Sequence, residues 1–339
     1  MINKIYRLVN AKQITVDFED RRLEGDGIIV RPTKLSICAA DQRYYTGTRG
    51  KEAMRQKLPM ALIHEAIGEV VFDPKRELVP GTKVVMIPNT PIEKDDVIKE
   101  NYLRSSYFRS SGFDGFMQSL VTIRRDRVIP YDNISDRVAV LLELMSVGMN
   151  ALEHFEHYSH LKKQTLGVWG CGSVGFATAL ILKKTFPNAE VIVFGTTDEK
   201  LSYFQFADQT FRIDNIPPDL RVDHAFECVG GSGCEDAINQ IIDYINPEGT
   251  IALMGVSENN VPINTRMVLE KGLTLIGNSR SSYEDFYNSI EFLRNYPETQ
   301  SYLENIISDE VVVKSIKDIN EAFDRDVNNE FKTIMKWEI

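Results

Sequence analysis

Thr165–Leu166–Gly167–Val168–Trp169–Gly170–Cys171–Gly172–Ser173–Val174–Gly175 is the stretch that decides the fold. Residues 165–169 read as a strand and 174–185 as an apolar helix, with a GxGxxG turn at 170–175 between them. That glycine pattern is weak alone. Between a strand and a helix it marks a dinucleotide-binding turn. Gly170 permits the tight turn, Gly172 lets the backbone approach a pyrophosphate, and Gly175 lets the helix pack closely on the strand. The free N–H groups at the helix start, around Ser173 and Val174, favour phosphate. A glycine-rich turn without a ligand is the reading this context disfavours.

The alternation continues downstream, with strands at 190–194, 223–228, 250–255 and 273–277 and a helix at 234–245. Such spacing predicts an α/β fold with a doubly wound parallel sheet. Residues 1–137 have another texture, with short apolar runs at 27–32, 68–72 and 81–86 bounded by turn residues, which predicts a β-rich region. Residues 89–112 are polar and aperiodic, a long lobe or loop of the kind usually kept for function. A helical pattern covers 138–155. The tail holds helical stretches at 283–295 and 316–326 and a strand-like 332–337. The expected division is 1–139 with 285–339 as one domain and 140–284 as the dinucleotide-binding domain.

Composition narrows the function. With 339 residues, 43% hydrophobic and 26% charged, the chain suits two soluble domains. A net charge of −10 without a basic block argues against nucleic acid as partner. No apolar run reaches the roughly 18 residues of a membrane helix. Four cysteines make no disulfide framework, so a reduced, cytoplasmic setting is expected.

An acidic residue about 20 positions past the turn would bind the ribose 2′-OH of NAD. Counting from Gly175 lands on Gly195, followed by Thr196, Thr197 and Lys200. Two hydroxyls and a cation in place of an acid predict NADP. Asp198 is expected to cap the helix that follows.

Cys38, Asp41, His64, Glu65 and Glu143 carry zinc-ligand chemistry. Their spacing is no zinc signature by itself. A buried Cys, a capping His and surface acids fit it equally well.

Three segments resemble the zinc-dependent medium-chain alcohol and polyol dehydrogenases: Leu35–Ser36–Ile37–Cys38–Ala39–Ala40–Asp41, Ile63–His64–Glu65–Ala66–Ile67–Gly68–Glu69–Val70 and Glu143–Leu144–Met145–Ser146–Val147–Gly148. The resemblance extends over nearly the whole chain. It implies a GroES-like catalytic domain beside a Rossmann domain, and a catalytic zinc on Cys38 and His64 with Glu65 and Glu143 as the remaining candidates. Asp41 would orient His64. Ala40 stands where the family often has a proton-relaying Ser or Thr, so Glu65, Tyr44 or metal-bound water is left for that task. The four-cysteine lobe of many members is missing at 89–112, which implies one zinc per subunit.

Within the family, Cys38–Ala39–Ala40–Asp41–Gln42–Arg43–Tyr44–Tyr45–Thr46–Gly47, Glu100–Asn101–Tyr102–Leu103 and Lys271–Gly272–Leu273–Thr274–Leu275–Ile276–Gly277 resemble the bacterial ribulose-5-phosphate reductases. That resemblance implies NADPH-dependent reduction of D-ribulose 5-phosphate to D-ribitol 5-phosphate. The product would supply CDP-ribitol for teichoic acid or capsule, beside a ribitol-5-phosphate cytidylyltransferase, from a homo-oligomer such as a dimer. A substrate phosphate needs cations, for which Arg43, Arg49, Arg104, Arg109 and Arg280 are candidates. His154, His157 and His160 are expected to spread around a helix, and Cys171, Cys228 and Cys234 to pack as small residues. The competing readings are an NAD(P)-linked polyol dehydrogenase for unphosphorylated sugars and a non-catalytic nucleotide-binding protein.

Overall fold

The decisive stretch folds as strand Thr165–Trp169, a turn, and helix Ser173–Thr185. A computed structural model describes residues 2–20 and 25–339. The chain divides into two units, Met1–Glu143 with Ser281–Ile339, and Leu144–Arg280.

In the second unit six strands form a wholly parallel sheet. Its order is Gln209–Arg212, Glu190–Gly195, Thr165–Trp169, His224–Glu227, Thr250–Leu253, Thr274–Gly277. Numbered along the chain this is 3-2-1-4-5-6, the doubly wound arrangement, whose direction of winding reverses beside Thr165–Trp169. Trp169 and Phe194 stack with centroids 3.8 Å apart, and their face packs on helix Cys234–Tyr244 through Ile238, Ile241 and Ile242. Burial of these large side chains, at ~1.5–3 kcal/mol each, is what holds helix to sheet.

Among the described residues, the first unit is built on a seven-stranded sheet. Its main path runs Val128–Pro130, Lys83–Met86, Glu65–Phe72, Ile28–Ser36, Lys332–Trp337, Ile307–Val313, and Val121–Ile123 pairs with Ile28–Ser36. Pro32 sits inside Ile28–Ser36 where the register slips between Pro32 and Lys34, as a residue without an N–H requires. A smaller sheet joins Gln13–Asp20, Ile2–Asn10 and Met60–Ala61.

Several details depart from the sequence reading. Helices Ala39–Thr46 and Lys51–Lys57 interrupt the region expected to be β-rich. Both are short and carry no apolar helical stripe, so periodicity could not announce them. The 89–112 lobe contains a strand pair, Asn89–Thr90 with Tyr107–Phe108, and a single 3-10 turn at Glu100–Tyr102. Thr197, not Asp198, caps helix Asp198–Leu201, its side chain accepting the Lys200 N–H. Asp198 lies in the first turn, where its charge still favours the helix dipole.

Candidate active site

Cys38 stands at the N-cap of helix Ala39–Thr46, which places Asp41 in the first turn and fully buried. His64 directly precedes strand Glu65–Phe72. The residue before it, Ile63, is held at φ +71°, a conformation that costs a β-branched residue about 1–3 kcal/mol. Two hydrogen bonds hold it there. Its N–H donates to Asp41 Oδ1 (3.0 Å) and its carbonyl accepts from the Phe116 N–H (2.7 Å).

Asp41 is the hub of this arrangement. Oδ1 also accepts from the Ser110 hydroxyl, and Ser110 is itself left-handed at φ +61°. Oδ2 lies 3.2 Å from His64 Nδ1. Burial pushes the Asp41 carboxyl up, but the His64 charge and these hydrogen bonds hold it below the usual carboxylate range. Burial pushes His64 down, and the charges of Asp41 and Cys38 outweigh that and keep it well above an ordinary imidazole. With Nδ1 facing the Asp41 carboxylate, Nε2 is left as the ligand atom.

Glu65 Oε1 accepts from Lys332 Nζ at 2.5 Å, and Lys332 also donates to the Ile37 carbonyl (3.3 Å). Lys332 is buried, which lowers its pKa, yet the charges of Glu65 and Cys38 raise it above the usual lysine value. Glu143, near the start of helix Leu142–Tyr158, is 7% exposed. Burial raises its carboxyl to about 7, with His64 opposing and Glu65 reinforcing the shift.

The ligand atoms of Cys38, His64 and Glu65 all lie within 4.8 Å of one another. Glu143 is outside that group of three. Glu65 Oε2 is buried with no hydrogen-bond partner, an acceptor that a cation would satisfy. Thiolate, imidazole and carboxylate together suit zinc. The residues fit the metal.

In the second unit a cavity of about 410 Å³ is lined by Gly170, Cys171, Gly172, Gly195, Thr196, Lys200 and Val229, among others. A Cβ on Gly175 would fall 1.8 Å from the Gly170 carbonyl oxygen, so only glycine lets this helix reach this turn. A Cβ on Gly195 would meet Cys171 Sγ at 2.6 Å, so the strand tip has no room for an acid. The first feature fits any dinucleotide, and the second fits one carrying a 2′-phosphate.

Of the residues singled out in the sequence, Cys38, Asp41, His64 and Glu65 come together, and Gly170, Gly172, Thr196 and Lys200 line one cavity. Ser173, Val174 and Gly175 lie at the start of helix Ser173–Thr185 and Thr197 caps helix Asp198–Leu201, and none of the four lines that cavity. Tyr44 is buried, and its Oη makes no hydrogen bond to the metal-site residues. Arg109 drops out as a phosphate ligand, because its Nη atoms donate to the Asp114 (3.1 Å) and Thr122 (3.0 Å) carbonyls. Arg104 and Arg280 are exposed. His154 and His157 lie on helix Leu142–Tyr158 and His160 beyond its end, and the three form no metal-competent group among the described residues. Sequence reasoning missed Ser110 and Lys332. The lysine's one signal is a charge in a strand otherwise expected to be buried.

Residues 24–133 match the model of the alcohol dehydrogenase GroES-like domain, and 173–295 that of the zinc-binding dehydrogenases. The chain is 54% identical to a ribulose-5-phosphate reductase of Bacillus spizizenii, over 100% of both chains. It is 46% identical to that of Streptococcus pneumoniae, over 100% of this chain and 98% of the relative. It superposes on the crystal structure of S. aureus TarJ in complex with NADPH with a TM-score of 0.90, at 46% identity and 100% coverage of each chain. The L-idonate 5-dehydrogenase of Escherichia coli, 20% identical over 99% of this chain and 98% of its own, shares the fold with a TM-score of 0.86. The chain belongs to the zinc-binding dehydrogenase family, among the ribulose-5-phosphate reductases.

Proposed function

We propose that this chain reduces D-ribulose 5-phosphate to D-ribitol 5-phosphate with NADPH as a zinc enzyme. The observation that carries this is 54% identity, end to end, with a ribulose-5-phosphate reductase, in a chain whose thiolate, imidazole and carboxylate converge. Cys38, His64 and one or both of Glu65 and Glu143 would hold zinc. When bound, zinc supplies Lewis acidity at the C2 carbonyl and NADPH supplies the hydride.

The chain's own residues prepare these places. The Asp41 carboxylate, with Oδ2 3.2 Å from His64 Nδ1, attracts the imidazole proton to that side and so leaves Nε2 for a metal. Ser110 and the Ile63 N–H fix Asp41 in turn. Lys332 compensates the Glu65 charge in a buried setting, where an unpaired carboxylate would be costly. Thr196 and Lys200, beside a strand tip that bears no acid, favour NADPH over NADH. Residues 1–139 with 285–339 serve the metal and substrate, and 140–284 the dinucleotide.

The enzyme would act as a cytoplasmic homodimer. Its product would pass to a ribitol-5-phosphate cytidylyltransferase for teichoic acid or capsule. No helix among the described residues is long and apolar enough to cross a membrane. The test is NADPH oxidation with D-ribulose 5-phosphate, with and without a chelator. Turnover that is lost on chelation and restored by zinc is expected, and chelator-resistant turnover or a strong NADH preference would overturn the reading.

A further inference from the structure

The loop that follows strand His224–Glu227 lines the dinucleotide cavity through Cys228, Val229 and Gly233. It turns through Gly230 and Gly231, at φ +64° and +59°, and two successive glycines lend a backbone little rigidity of its own. Glu227 supplies what the glycines lack. Its side chain is fully buried, and Oε1 accepts the Val229 and Gly230 N–H groups at 2.8 and 3.0 Å. Oε2 accepts the Gly255 N–H at 2.9 Å, from the loop after strand Thr250–Leu253. The two loops come so close that a Cβ on Gly255 would lie 2.3 Å from the Gly230 nitrogen. Helix Cys234–Tyr244 is reached as well. Burial pushes the Cys234 thiol up to about 11, and the charge of Glu227 and a hydrogen bond to it add to the rise. One carboxylate thus gathers three elements at the carboxyl end of the sheet, where a doubly wound fold seats its ligand.

A second buried carboxylate sits at the other end of the same strand. Asp223 Oδ2 accepts the Gln164 and Thr165 N–H groups at 2.9 and 3.2 Å, and Oδ1 accepts from Asn246 Nδ2 at 3.0 Å. Lys162 Nζ, 2.7 Å away, balances its charge, and Asp223 does not line the cavity. Glu227 has no such balance. Among the described residues no lysine or arginine pairs with it. Its desolvation is offset by the N–H groups it gathers, so its chief contribution is their arrangement.

We propose that Glu227 is a positioning residue for NADPH, which fixes the cavity wall by clamping the Val229, Gly230 and Gly255 N–H groups. The inference rests on that cavity being the cofactor's seat. With the clamp in place the wall is ordered before the dinucleotide arrives. Without it, binding must order the loop, and affinity falls.

The test measures the NADPH Kd by nicotinamide fluorescence, beside the denaturant midpoint, in the zinc-loaded, full-length enzyme. Glu227→Gln keeps the shape and one acceptor oxygen but sets an amide NH2 against backbone donors. Its Kd should rise about tenfold or more. Glu227→Asp keeps the charge on a shorter arm and takes over if the glutamine variant does not fold; its Kd should rise about threefold or more. Asp223→Asn is the structural comparison. It should lower the midpoint and leave the NADPH Kd within about twofold. An unchanged Kd in the Glu227 variants overturns the inference. So does an equal rise in Asp223→Asn, which would mean that loosening the sheet at either end weakens binding. Wild-type protein without affinity for NADPH removes the cofactor's seat, and the inference with it.

Discussion

The nucleotide cavity and the metal-ligand cluster are built on opposite plans. Gly170, Gly172, Thr196 and Lys200 come from a strand–turn–helix–strand run of a few dozen residues. The cluster and its supports draw on Cys38, Asp41, His64, Glu65, Ser110, Glu143 and Lys332, spread over most of the chain. The first site is a property of local backbone shape, which missing side chains create. The second is a property of charge balance, which only the finished sheet brings together.

Four experiments press on that contrast. Replacing Cys38 with Ser should lower kcat/KM by about 10³-fold or more and deplete bound zinc, because a hydroxyl is a poor zinc ligand. NADPH affinity, followed by nicotinamide fluorescence, should stay within about twofold, as expected of independent sites. A parallel collapse of nucleotide binding would show the contrast to be false. Lys332→Met should come next, leaving Glu65 buried without its partner and destabilising the first unit by about 3–4 kcal/mol. Denaturant melts followed by Trp337 emission in a Trp169→Phe background would read this, and an unshifted midpoint would contradict it.

Gly175→Ala tests the backbone plan. The added methyl collides with the Gly170 carbonyl, so a loss of about 2–3 kcal/mol and a matching loss of NADPH affinity are expected. Unchanged NADPH affinity would mean the turn is not the cofactor's seat.

The smallest effect concerns pH. His224 Nδ1 accepts the Thr250 N–H at 3.0 Å and Nε2 lies 3.0 Å from the Lys162 carbonyl, an arrangement that suits the neutral ring. Burial, with His160 adding to it, pushes its pKa from 6.5 down to about 4. Between those values the unfolded chain holds a proton that the folded one does not, so stability falls as pH falls. From pH 7.5 to 5 this amounts to about 2 kcal/mol. Trp169 emission in a Trp337→Phe background should show the decline, and His224→Gln should flatten it. A slope that survives the substitution would place its origin elsewhere.

The same contrast explains what could be read in advance. The turn at 170–175, and the tail helices Tyr283–Asn295 and Ile316–Asp326, follow from contiguous patterns. Ser282 and Ser315 cap those two helices through their own side chains, which local sequence encodes. Cys38, His64 and Glu65 were legible as chemistry but not as a cluster until family resemblance joined them. Ser110 and Lys332 stayed hidden. They meet their carboxylates across 69 and 267 positions, and no spacing rule spans such distances. Arg109 misled on a shorter scale, since its carbonyl partners, 5 and 13 positions away, are set by how the lobe folds back on itself.

Strand Lys332–Trp337 lies between Ile28–Ser36 and Ile307–Val313 in the sheet. During translation it emerges after every other strand it joins, and long after residues 144–280 have left the ribosome. The nascent polypeptide therefore carries a complete fold for the nicotinamide carrier while Glu65 still waits for its lysine. Any chaperone that attends this protein meets it with a gap one strand in from the edge of its larger sheet.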